Sequence, residues 1–168
     1  MQKLSREIFQ LLSGSGLTLS TAESCTGGGI AAAIVAPSGA SGYFKGGVVS
    51  YCNEIKEKIL GVNSATIAQY NVVSAEVARE MCIGVLDAIG TDYAVSVTGC
   101  AGPGGGTDQI PVGTIWIGYG TKDNVMTYKL AGNRDREQNL EHATRKALEL
   151  IARYIRDDMS QRARHQCP

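Results

Sequence analysis

The chain has 168 residues, the usual size of one domain, with 43% hydrophobic and 19% charged residues, a balance that argues for one globular core and against disorder. Sixteen Lys plus Arg offset sixteen Asp plus Glu. That zero net charge speaks against a nucleic-acid partner, whose phosphates require a basic excess or a basic stripe.

No stretch approaches the roughly 20 apolar residues of a membrane span, and the first residues carry no apolar signal core, so a cytoplasmic protein without a membrane partner is expected. Cys25, Cys52, Cys82, Cys100 and Cys167 form an odd set with no CxxC pair and no His at ligand spacing. Reduced thiols and no metal site are expected. The 21 Gly are the compositional anomaly, clustering at 27–29, 46–47 and 102–106, where backbone must approach something closely.

Leu4, Ile8, Leu11 and Leu12 recur at helical spacing and stop at Ser13-Gly14-Ser15-Gly16, giving an opening helix. A strand over 17–22 follows, then a helix capped by Thr26 that ends before Pro37-Ser38-Gly39. Residues 48–51 read as strand. Asn53 caps a short helix through Leu60, and Ser74 with Glu76 opens another running to about Ile89. A buried strand over 93–97 leads to the Gly-rich loop 98–107, and 113–119 with 125–130 form a hairpin-like pair around Thr121-Lys122-Asp123-Asn124. Leu140, Ala143, Ala147, Leu148, Ile151, Tyr154 and Ile155 give the apolar stripe of a long last helix, and 157–168 reads as a frayed, disordered tail beyond a single domain over 1–156. Strands alternating with helices place the chain in the α/β layered class, with a mixed sheet.

The chemistry concentrates at three places. In Thr21-Ala22-Glu23-Ser24-Cys25-Thr26-Gly27-Gly28 a hydroxyl and a thiol sit between a strand end and a helix start, where free N–H groups and the helix dipole favour negative charge. Such a turn suits a nucleophile and an oxyanion; equally, Ser24 and Thr26 can be caps alone. The histidines are His142 and His165, in the last helix and the tail, so a Ser-His-Asp triad is not supported. Lys56 is the candidate base: at the third position of a helix capped by Asn53 its ammonium opposes the dipole, which lowers its pKa, although an exposed surface Lys fits the same spacing. Tyr51 can relay a proton or position Ser24. Cys25 is a rival nucleophile, but without a partner His it suits packing better.

The loop from Thr98 to Thr107 is the third place, since successive N–H groups on it can hold an anion. Arg134 can add its fork of donors to a phosphate or remain an exposed capping-region Arg. Gly27, Gly29 and Ala32 also fit a dinucleotide pattern, with Glu54 as a distant acidic residue, but Ser24-Cys25-Thr26 crowds its approach with polar groups.

Taken together, Thr21 to Gly28, the run from Gly47 to Lys56, Val73-Ser74, Thr98 to Thr107, Pro111-Val112-Gly113-Thr114 and Gly132-Asn133-Arg134 resemble the CinA C-terminal domain, or nicotinamide-nucleotide amidase (PncC), family. The resemblance covers the chain from about Leu4 to Tyr154. It implies a three-layer sandwich with a mixed, mostly parallel five-stranded sheet between helices. It implies hydrolysis of the carboxamide of nicotinamide mononucleotide to nicotinic acid mononucleotide and ammonia, in pyridine-nucleotide recycling, without a cofactor. By the same resemblance Ser24 is the nucleophile, Lys56 the base and Tyr51 the assisting group. Thr26, Gly27 and Gly28 stand at the oxyanion, while Ser41, Thr98, Gly102, Gly105, Thr107 and Arg134 are candidates for ribose and phosphate contacts. The chain departs from the family where Ile110 replaces a Lys before Pro-Val-Gly, where Cys52 replaces Ser or Thr, and where Gln138 replaces an Arg. Those lost cations keep a non-catalytic nucleotide- or partner-binding module open as the alternative. Small α/β enzymes commonly pair, so a homo-oligomer is compatible with the sequence.

Overall fold

A computed structural model describes residues 1–132 and 134–165; Asn133 of the Gly132-Asn133-Arg134 motif, Cys167 and the rest of 166–168 lie outside the described residues. In chain order the elements are α1 (Gln2–Leu12), β1 (Leu19–Glu23), α2 (Gly29–Val35), a 3-10 turn (Ala40–Gly42), β2 (Phe44–Val49), α3 (Asn53–Leu60), α4 (Ser64–Tyr70), α5 (Ala75–Ile89), β3 (Tyr93–Gly99), β4 (Ile115–Thr121), β5 (Asn124–Leu130) and α6 (Arg136–His165). The sheet order is β2-β1-β3-β4-β5. β1 pairs parallel with both β2 and β3, whereas β3–β4 and β4–β5 are antiparallel, so the sheet is mixed with four of its five strands running the same way.

Helices cover both faces. On one, α1, α2 and α6 pack around Ile8, Ile30, Ile34, Leu148 and Ile151; on the other, α5 with α3 and α4 closes over Leu60, Val77, Met81 and Val85. The middle strands β1 and β3 are therefore sealed from water on both sides, as parallel strands of layered α/β folds must be. Close sheet packing explains Gly47, where a Cβ would lie 2.1 Å from the Thr21 hydroxyl.

Several local expectations change. Thr26 does not cap α2: Gly28 holds that position at φ 101, a conformation that favours glycine, and the Thr26 hydroxyl instead donates to Glu23. Cys52 is the residue before α3, so Asn53 opens the helix and Lys56 stands at its fourth position. The helix α4 had no apolar stripe to announce it, and none of its residues is buried; its signal is Asn63, whose side chain accepts from Ala65 N–H. Finally, 157–165 is no frayed tail. The last helix continues because Asp158 accepts from Tyr93 Oη (2.6 Å) and from Arg162 Nε (2.6 Å), and Met159 packs against the core.

Candidate active site

Parallel strands of such folds present their carboxyl ends together, which is where ligands of open α/β sheets bind. Here Ser24 follows β1, Ser50 and Tyr51 follow β2, and Thr98 and Gly99 close β3. Ser24, Tyr51, Thr98 and Gly99 border a cleft of about 300 Å³ that also receives Cys25, Asn53, Lys56, Gly102, Gly105 and Arg136. Larger grooves exist at α3–α5 and at α1–α6, but neither holds a nucleophile beside a base.

The Ser24 turn is built from within. Glu23 is fully buried, and its carboxylate accepts from Thr26 Oγ1 (2.7 Å), Gly28 N–H (3.1 Å), Ile30 N–H (3.0 Å) and Ala31 N–H (2.8 Å). The positive end of α2, which suits an anion, is thus filled by the chain's own carboxylate. Gly27 N–H donates to Ser24 O at 3.1 Å, so the N–H groups of both Gly27 and Gly28 are spent inside the turn and do not form the expected oxyanion site. Among the described residues, the N–H group of Thr26 has no acceptor, and that of Cys25 faces only its own sulfur. Ser24 N–H donates to Val97 O (3.0 Å), fixing the turn to β3.

Lys56 is only 1% exposed and Ser24 8%. The Lys56 Nζ donates to Ser24 Oγ at 2.9 Å and to the Ser50 carbonyl at 2.7 Å, and no carboxylate pairs with it among the described residues. Burial is the main cause that lowers the Lys56 pKa; the Cys52 and Cys25 thiols pull the other way. A lysine held this way is poised to become neutral, keep one N–H on Ser50 O and turn its lone pair to the Ser24 hydroxyl. Cys25 packs into the core with its thiol pushed up to about 12, again by burial, which disfavours the thiolate a nucleophile needs.

Arg136 is the residue that the sequence reading missed. It opens α6, where its charge opposes the dipole, and it donates to the Gly102 carbonyl (2.6 Å) and to Tyr51 Oη (3.0 Å). A cation at a helix start, two residues beyond Arg134, was the available signal. Asn139 adds a tie: its buried side chain donates to Ala101 O (3.1 Å) and Arg134 O (2.9 Å).

Tyr51, Thr98, Gly102 and Gly105 border the cleft, but Thr98 spends its hydroxyl proton on Val72 O (2.9 Å). Arg134 lies outside, in a solvent-side notch with Gln138, His142 and Arg145. Thr107 also lies outside it, and its hydroxyl accepts from Ile110 N–H in a local turn. Ser41 sits in the turn before β2, at the opposite end of the sheet, about 20 Å of strand from Ser50. Its candidacy as a substrate contact finds no support within one chain.

The profile of the CinA C-terminal domain matches residues 1–155. The chain belongs to the CinA C-terminal domain family. It is 48% identical to the nicotinamide-nucleotide amidohydrolase PncC of Enterobacter agglomerans, over 82% of this chain and 84% of that protein. Against the PncC of Escherichia coli K12 the identity is 41%, over 90% of this chain and 92% of that one. A CinA-like protein of Citrifermentans bemidjiense is 45% identical over 92% of this chain, which spans just 37% of that protein's length. The crystal structure of the competence damage-inducible protein A from Klebsiella pneumoniae superposes with a TM-score of 0.86 at 36% identity, covering 90% of this chain and 94% of that one. No described helix is long and apolar enough to cross a membrane.

Proposed function

We propose that this CinA-family domain is an amidohydrolase that deamidates nicotinamide mononucleotide to nicotinic acid mononucleotide by a Ser/Lys mechanism. The observation that carries the reading is the buried Lys56 Nζ 2.9 Å from Ser24 Oγ, inside a cleft, in a chain similar to amidohydrolases of that name. Neutral Lys56 takes the Ser24 proton as Oγ attacks the carboxamide carbon. The oxyanion is held by the Cys25 and Thr26 N–H groups, the first facing only its own sulfur and the second without an acceptor among the described residues. The Lys56 ammonium returns its proton to the departing nitrogen, so ammonia leaves and an ester on Ser24 remains. A water, deprotonated by Lys56, cleaves that ester and restores Ser24. Arg136 fixes Tyr51 against the Gly102 loop, giving the substrate a rigid wall.

Both substitutions that kept a non-catalytic module open, Ile110 and Gln138, lie outside this cleft, which supports the catalytic reading. Incubation with nicotinamide mononucleotide, with free nicotinamide as control, tests it. Ammonia and nicotinic acid mononucleotide in equal amounts are expected. Saturable mononucleotide binding without ammonia would replace the enzyme with a binding module. The deamidation would serve pyridine-nucleotide recycling in the cytoplasm.

A further inference from the structure

A second cavity, of about 590 Å³, lies directly behind the wall of the catalytic cleft. Segment 71–73 separates the two, and Val73 borders both. This partition is unusual: Asn71 is the one described non-glycine residue with positive φ, at 71, and its side chain braces the bend by accepting from Val73 N–H at 3.1 Å. Val72 in turn holds Thr98, a wall residue of the cleft.

The chemistry of the cavity is specific. Two aromatic rings border it, Trp116 of β4 and Tyr70 at the end of α4, the latter 46% exposed. Lys129, paired across the sheet with Trp116, holds its ammonium 5.7 Å from the indole ring and is in no ion pair among the described residues. Gln69, Gln109 and Glu76 are among the other polar residues of its lining, bringing two side-chain amides and a carboxylate. Aromatic faces stack flat heterocycles, amides read base edges, a carboxylate accepts from sugar hydroxyls, and an unpaired ammonium takes a phosphate. The volume falls within the range of small-ligand sites.

We infer that this cavity is a second nucleotide site, taking a purine mononucleotide whose base lies against Trp116 and Tyr70 and whose phosphate meets Lys129. Because the ligand presses on segment 71–73, its occupancy changes the affinity of the catalytic cleft, a coupling that must be reciprocal.

Trp116 is the only tryptophan in the chain, so intrinsic fluorescence reports on the cavity directly. The probe is adenosine monophosphate titrated into the full-length protein, with ribose 5-phosphate as the baseless control. Saturable quenching is expected with the nucleotide and none with the control. Lys129→Ala should weaken the nucleotide by about tenfold or more while leaving adenosine nearly unchanged. Ser24→Ala should bind as the parent does, which separates this site from the catalytic one: absence of amidase activity would leave the result standing. Three outcomes overturn the inference: no saturable quenching up to about 10 mM, equal binding by Lys129→Ala, or simple competitive displacement by nicotinamide mononucleotide, which would put the probe in the catalytic cleft.

Discussion

Replacing Lys56 by Met removes the amine while keeping an unbranched chain of similar length in the same buried slot. On the chemical side, Ser24 Oγ loses the only base within hydrogen-bond reach among the described residues, 2.9 Å away. General base catalysis is worth about 10²–10⁴-fold, and kcat for ammonia release should fall by that much. On the stability side two changes oppose each other. The Ser50 carbonyl loses its 2.7 Å donor, at a cost of about 1–3 kcal/mol, while the chain no longer has to bury an ammonium that has no carboxylate partner. The net change should stay near 1 kcal/mol, about 2–4 °C in Tm for a chain of this size. Ammonia release at saturating substrate, beside a thermal melt, checks both numbers. Because Ser24 and Lys56 act as a unit, the double variant Ser24→Ala/Lys56→Met should be no slower than the worse single one. A folded Lys56→Met protein that keeps kcat within a factor of about three would refute Lys56 as the base.

Activity should rise with pH through a Lys56 pKa below its ordinary 10.5, because only the neutral amine accepts the Ser24 proton; a kcat/KM profile flat across that window would contradict the assignment. The sign for stability is the same: between the lowered folded value and 10.5 the unfolded chain binds more protons, so the contribution of Lys56 to stability rises with pH, and denaturant midpoints of Lys56→Met should lack that slope. Arg136→Ala frees Tyr51 and the Gly102 carbonyl and should lower kcat/KM by about 10–150-fold, with Arg136→Lys failing to restore the two-pronged contact in the same kinetic assay. Glu23→Gln sets an amide against N–H donors of its own turn and should cost about 1–3 kcal/mol, read as a lower Tm together with a lower kcat.

Much of the fold was legible because its helices carry apolar stripes and its caps use ordinary chemistry, as Ser74 does in accepting from Val77 N–H. The strand β1 was harder. Its Ser20, Thr21 and Glu23 are as buried as its Leu19, since the sheet neighbours and helices on both faces leave no water-facing side for a polar alternation. The end of α6 was misread because its support is tertiary: the Asp158 partner is Tyr93, 65 residues away in sequence. At the site, Ser24, Lys56 and Tyr51 could be picked out by type and spacing. The role of Glu23 could not, because a carboxylate before a helix looks like an anion-site competitor only once its four donors are seen. Arg134 and Arg136 differ by two residues, and only the turn into α6 decides which enters the cleft. Ser41 stands apart from the cleft within one chain for a topological reason, since the start of β2 lies at the other end of the sheet from its finish.

The most direct test of the account compares ammonia release from nicotinamide mononucleotide by the parent, Ser24→Ala and Cys25→Ala proteins. The structure puts the hydroxyl against Lys56 and buries the neighbouring thiol with its pKa near 12, so release should vanish in Ser24→Ala and persist in Cys25→Ala. Release that survives in Ser24→Ala and is lost in Cys25→Ala would contradict the central claim that Ser24 and Lys56 carry the chemistry.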